Sequence, residues 1–227
     1  MTDIQLHYIE LGQGQPLIML HGNGESCDYF EHQIAYFSKQ YHVIALDTRG
    51  HGHSPRGEKP FTIKQFAEDL HDFMYEKGIE KAILLGFSDG GNIALTFALK
   101  YPEWVDKMIV DGANLFPSGV KPLYQWPIEL GYRIAKMFSK KSNKAQRNAE
   151  MLSLMVNEPN IAPAELARLT MPVLVVAGTN DMIKDSHTKL IYKNLPNAQL
   201  NIIEGDHFVA NKNADAFNKV VADFLRK

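Results

Sequence analysis

Gly86-Phe87-Ser88-Asp89-Gly90-Gly91 follows the apolar run 82–85 and precedes a helical pattern over 92–100. This is G-x-S-x-G in a strand–turn–helix setting, the context that gives the pattern meaning. So tight a turn leaves no room for side chains two positions either side of the serine, which accounts for Gly86 and Gly90. The Ser88 hydroxyl is thereby held above the strand end, at the start of a helix whose dipole favours negative charge. Shifting the register to make Asp89 the nucleophile would place Phe87 where a small residue is required.

Outward from this turn, strand-like and helix-like patterns alternate. Residues 4–11 alternate apolar and polar positions, as a half-buried edge strand does. The runs 16–20, 43–46, 82–85, 108–110, 173–177 and 200–203 are short and apolar, as expected of strands covered on both faces. Amphipathic helical patterns fall between them at 62–76, 91–100, 186–194 and 214–225. The alternation predicts an α/β fold with a mostly parallel twisted sheet and helices on both faces. One stretch, 113–169, holds no strand pattern. It carries helical patterns over 124–138 and 144–156, punctuated by prolines, the first rich in large apolar side chains. We expect a core of 1–112 and 170–227 with 113–169 inserted as a small helical cap, an ordinary pair of packing helices being the alternative. The basic residues Lys136, Lys140, Lys141, Lys144 and Arg147 at the helix join are expected to form a solvated face.

Composition narrows the class. In 227 residues, 45% hydrophobic and 22% charged side chains suffice for one packed domain and argue against disorder. The balance of 24 Lys+Arg against 26 Asp+Glu lacks the basic excess of a nucleic-acid binder. The single cysteine, Cys27, forms no intrachain disulfide and no cysteine zinc cage, and a small buried residue is expected there. No apolar run approaches the roughly 18 residues of a spanning helix, and the N-terminus resembles no signal peptide. The expected protein is cytoplasmic and binds a small molecule, with neither nucleic acid nor membrane as partner. Its oligomeric state, a homodimer included, is not readable.

A serine nucleophile needs a base and an orienting acid. Asp181 lies in Gly178-Thr179-Asn180-Asp181 after the run 173–177, and His207 lies in Gly205-Asp206-His207-Phe208 after 200–203. The order Ser88, Asp181, His207 is the one this strand–turn–helix serine arrangement uses. Asp206, beside the histidine, is expected to shape the turn, and Asp111, after 108–110, is the more serious rival acid. An oxyanion needs backbone N–H donors, expected from Asn23 in His21-Gly22-Asn23-Gly24 and from Asp89. Asp89, Gly22 and Trp126 are the candidate substrate-binding residues. His21 is expected to tie down its loop rather than act as a second base. His51-Gly52-His53 is expected to be a turn, since two histidines without a neighbouring Cys or Glu are a thin metal site. No metal or other cofactor is implied.

Together, His21–Gly24, Asp47-Thr48-Arg49-Gly50-His51-Gly52-His53-Ser54, the Ser88 turn, Asp181 and Gly205-Asp206-His207 resemble the α/β-hydrolase-fold enzymes over essentially the whole chain. Ser88-Asp89-Gly90-Gly91 with Val110-Asp111-Gly112-Ala113-Asn114 is most similar to the valacyclovir hydrolase-like (biphenyl hydrolase-like) serine esterases. The resemblance implies hydrolysis of a small carboxylic ester, amino-acid esters or amides included, through an acyl-enzyme. Carbon–carbon bond hydrolysis or cofactor-free perhydrolysis on the same residues is the alternative. A non-catalytic small-ligand receptor would have no use for an activated serine.

Overall fold

In a computed structural model, which describes residues 3–227, seven strands form one sheet in the order β1-β3-β2-β4-β5-β6-β7. The strands are β1 (Tyr8–Leu11), β2 (Pro16–Leu20), β3 (His42–Leu46), β4 (Ala82–Phe87), β5 (Val105–Asp111), β6 (Val173–Gly178) and β7 (Ala198–Ile203). Edge strand β1 runs antiparallel to β3, and every other pairing is parallel. All six residues of β4 and of β6 are buried, which is why their sequences carry no polar alternation.

The helices are α1 (Glu31–Phe37), α2 (Ile63–Glu76), α3 (Asp89–Lys100), α4 (Pro122–Phe138), α5 (Asn143–Asn157), α6 (Asp185–Asn194), α7 (Val209–Lys212) and α8 (Ala214–Leu225). One apolar layer joins Leu70 and Phe73 of α2 and Phe97 of α3 to the face bearing Ile18 and Leu84. The other joins Phe37 of α1 and Phe217 of α8 to the face bearing Leu17 and Leu85. Each fully buried aliphatic side chain contributes about 1.5–3 kcal/mol. Thr62 Oγ1 accepts the Gln65 amide at 3.1 Å and fixes the start of α2.

Three local expectations need correction. Strand β1 begins at Tyr8, although the alternation begins at Ile4, and before it the His7 carbonyl still accepts a backbone bond, from the Asp47 amide. The His7 amide donates to Ser54 Oγ and its ring meets Asp47 Oδ2, both at 2.8 Å. Helix α1 was not expected, because its buried face carries Gln33, whose amide donates to Ala210 O and Asn218 Oδ1. Pro127, read as punctuation, sits inside α4.

The turn after β3 is built around buried ions. Arg49, fully buried, donates to both oxygens of Asp69 on α2 at 2.7 Å and also reaches Asp3. Removing Asp69 leaves two donor bonds of the buried guanidinium unmade, with only Asp3 as carboxylate partner among the described residues. Asp69→Ala should lower the unfolding free energy by about 3 kcal/mol, read as a fall in urea midpoint at constant m.

Candidate active site

Strand order reverses about β2, which pairs with β3 on one side and β4 on the other. The loops leaving such a point diverge and open a crevice at the carboxyl ends of the strands. Ser88 follows β4, His21–Glu25 follow β2, and Asp181 and His207 follow β6 and β7.

Ser88 has φ 53° and ψ −118°, making it the one non-glycine residue with positive φ among those described. The surroundings enforce that strained turn. A Cβ at Gly86 would lie 2.3 Å from Gly90 O, and one at Gly90 would lie 1.9 Å from Leu20 O. The Ser88 amide still donates to Asp111 O at 2.8 Å, so the sheet holds the turn up to the serine itself.

Ser88 Oγ lies 3.0 Å from His207 Nε2. On the other side of the ring, Nδ1 lies 2.7 Å from Asp181 Oδ1, with the carboxylate 1% exposed. The amides of Ile183 and Gly178 donate to Asp181, at 2.8 and 3.3 Å, and fix the carboxylate plane. Phe87 packs 4.9 Å from the imidazole and stacks on Tyr29 at 4.4 Å, walling the ring from the core.

The rival acids are placed differently. Asp206 accepts the Phe208 amide at 2.9 Å and pairs with Lys212, so it shapes the turn. Asp111 is fully buried, and neither carboxyl oxygen has a hydrogen-bond partner. Burial first, and the Asp181 charge second, push its pKa well above the usual carboxylate range. Its surroundings therefore favour the protonated carboxyl.

The backbone N–H groups of Asn23 and Asp89 have no hydrogen-bond acceptor among the described residues. The Asn23 side chain bridges three elements, its Nδ2 donating to Asp89 Oδ2 and to Met151 O of α5, both at 2.9 Å. Asn92 Nδ2 donates to Asp89 Oδ1 at 3.2 Å. Burial raises the Asp89 pKa, against these two bonds. His21 is neutral and structural: burial lowers its pKa to about 4, and Nε2 accepts the Thr48 amide at 3.0 Å.

Gly22 lies in the same loop as Asn23, whereas Trp126 lies on α4. Trp126 is 77% exposed and lines a surface groove with Pro127, Glu129, Leu130 and Arg133, a lining that includes none of Ser88, Asp181 and His207. Sequence reasoning passed over Glu25, whose Oε2 accepts the Gly22 amide at 3.2 Å. Burial raises its pKa to about 7, against that bond and the nearby His207. A carboxylate three residues beyond Gly22, facing back on a turn, was the available signal.

Several ties bind 113–169 to this edge. Arg56 grips Glu150 through two bonds of 2.7 and 2.9 Å, the Ile63 amide donates to Glu158, and Lys121 Nζ reaches Asp181 O. One grouping of potential metal donors occurs among the described residues: His7, Cys27 and Asp47. Its Asp47 oxygens are committed to the Cys27 and His53 amides and the His7 ring. Burial, then Asp47, push the Cys27 thiol up to about 12, away from the thiolate a metal needs. His51 is held by Thr48 and the Arg49 carbonyl, as a turn residue.

A model of the alpha/beta hydrolase fold family matches residues 15–149. Over 252 residues the chain is 32% identical to the human protein named serine hydrolase BPHL, covering 100% of this chain and 84% of that one. It is 28% identical over 269 residues to 2-hydroxy-6-oxo-6-phenylhexa-2,4-dienoate hydrolase of Comamonas testosteroni, covering 100% and 93%. A thermophilic esterase from Thermogutta terrifontis superposes with a TM-score of 0.83 at 21% identity, over 98% of this chain and 93% of that one.

Proposed function

This chain belongs to the alpha/beta hydrolase fold family, and from that premise we propose that it is a serine hydrolase cleaving small carboxylic esters through an acyl-enzyme. The observation that carries the proposal is the hydrogen-bonded series Ser88 Oγ, His207 Nε2 and Nδ1, Asp181 Oδ1. His207 takes the hydroxyl proton as Ser88 Oγ attacks the ester carbonyl, and Asp181 stabilises the imidazolium. The oxyanion is held by the Asn23 and Asp89 amides, each worth roughly 10²–10³ in rate. The tetrahedral adduct collapses, His207 protonates the departing alcohol, and water activated by His207 releases the carboxylic acid and regenerates Ser88. Residues 113–169 serve as the cap whose inner side shapes the substrate pockets. A fluorophosphonate probe should label Ser88 stoichiometrically, and absence of labelling in folded protein would overturn the assignment.

Amino-acid esters are the favoured substrates within this class, with amides of the same acyl groups as a slower extension. Asp89 sits next to the nucleophile, buried, with only amide partners, and a substrate ammonium α to the carbonyl would supply its missing countercharge. Such a charge-assisted bond is worth about 1.5–3 kcal/mol, a preference of roughly ten- to a hundredfold over the des-amino ester. Asp89→Asn keeps the backbone donor and should erase that preference in kcat/KM. An undiminished preference would show that another group reads the ammonium. The second reading, carbon–carbon bond hydrolysis by the same residues, draws on the similarity to the Comamonas enzyme. Assaying that enzyme's named dienoate beside the esters separates the two.

A further inference from the structure

Helix α4 turns an apolar face to solvent. Leu123, Trp126, Leu130, Ile134, Met137 and Phe138 recur at three- and four-residue spacing, and each is 49–80% exposed. Positions three and four apart share one side of a helix, so the six form one continuous stripe. The opposite side carries the buried Gln125 and Ala135. Periodicity alone sends such a stripe inward; here α5 and the helical turn at Pro117–Gly119 pack against α4, Gln125 Nε2 reaches Met155 O of α5, and the richer face is left uncovered.

Charge says what covers it. Arg133, Lys136, Lys140, Lys141, Lys144 and Arg147 lie on α4, on the turn after it and on the first turns of α5, and none is in an ion pair among the described residues. Between Pro122 and Asn148 they face the single carboxylate of Glu129, whereas the whole chain carries a formal charge of −2. Positive charge is therefore concentrated beside the apolar stripe. A second copy laid on the same face by two-fold symmetry would set these cations against their own counterparts. An anionic lipid surface offers both what the stripe and what the cations need: acyl chains for Trp, Leu, Met and Phe, and headgroup charge for Lys and Arg.

We propose that the outer face of α4 with its basic turn is a docking surface for anionic phospholipid bilayers, lying in the headgroup region. No helix among the described residues is long and apolar enough to cross a membrane, and this mode of binding requires none. The six basic residues are exposed, as expected of a solvated face, and the bilayer would be a partner for that face that the sequence did not suggest. Docking would bring the cap, and the crevice beneath it, to the bilayer surface.

The test is co-sedimentation of the full chain with vesicles of phosphatidylcholine alone and of phosphatidylcholine mixed with phosphatidylserine. Two variants accompany it: L123Q/L130Q/M137Q, which removes apolar contacts with a good helix former, and K140E/K141E/K144E. We expect binding to the mixed vesicles at least roughly tenfold stronger than to phosphatidylcholine, weakened by salt and by a similar factor in each variant. In a Trp104→Phe background Trp126 is the sole tryptophan, and its emission should shift to the blue on the mixed vesicles. Melting temperature and hydrolysis of a short soluble ester should match the unaltered chain, separating lost docking from lost fold. Absence of binding, equal binding to both vesicles, or binding that survives both variants would overturn the proposal. So would a solution dimer that L123Q/L130Q/M137Q dissociates, which would make the face a contact between copies.

Discussion

Replacing Ser88 by alanine should abolish turnover of a small activated ester, lowering kcat by about three orders of magnitude or more. The hydroxyl contributes nothing visible to the fold: its single hydrogen-bond partner is His207. The strained turn is held by Gly86, Gly90 and the Ser88 amide on Asp111 O, all of which survive the change. The positive φ at this position is as costly for alanine as for serine, so folded-state strain is unchanged. Binding of the ester should persist, because the Asn23 and Asp89 amides and Asp89 itself remain. The expected signature is therefore a collapse of kcat, an unaltered melting temperature and loss of fluorophosphonate labelling. Turnover close to that of the unaltered chain would remove Ser88 as nucleophile.

What could be seen in the sequence follows from the range over which each feature is encoded. Apolar runs announced six strands, although β7, expected to be covered on both faces, is an edge strand that buries only Ile203, and the Ser88 turn is dictated by residues within two positions of it. Asp181 and His207 were legible because each follows a glycine-marked strand end, and strand ends are where side chains from distant segments converge. Long-range polar contacts left no local trace. Nothing near Gln33 says that its amide meets α7 and α8 and thereby holds a helix whose apolar pattern is incomplete. The Asn23 side chain, expected to matter through its backbone alone, turns out to link the β2 loop, α3 and α5. Trp126 fails for the opposite reason. A periodicity has no sign, so it states that α4 has an apolar face but not which side the rest of the molecule covers.

Two buried carboxyls end neighbouring strands β5 and β6, and their replacement by asparagine should have opposite consequences. Asp181→Asn exchanges the acceptor at His207 Nδ1 for an amide that can present N–H to the ring. Nε2 then carries the proton, its lone pair is no longer available to Ser88, and kcat should fall by about 10⁴. Asp111→Asn should leave turnover close to that of the unaltered chain, since the carboxyl of Asp111 has no hydrogen-bond partner and the backbone carbonyl that receives Ser88 N–H is retained. Its effect should fall on stability. Burial raises the folded-state pKa of Asp111 above the unfolded value of about 3.9. In the folded state burial favours keeping the proton, so below that value the group is protonated in both states and makes no pH-dependent contribution. As pH rises past it, the unfolded chain releases the proton and the folded chain does not, and stability is lost progressively until the folded pKa is reached. Asparagine, neutral throughout, escapes that loss. The variant and the unaltered chain should thus have similar urea midpoints near pH 4, with the variant gaining a lead at neutral and higher pH. A lead that shrinks as pH rises would mean that Asp111 is charged and paired in the fold. A fall in kcat for Asp111→Asn as large as that for Asp181→Asn would move the orienting role to β5.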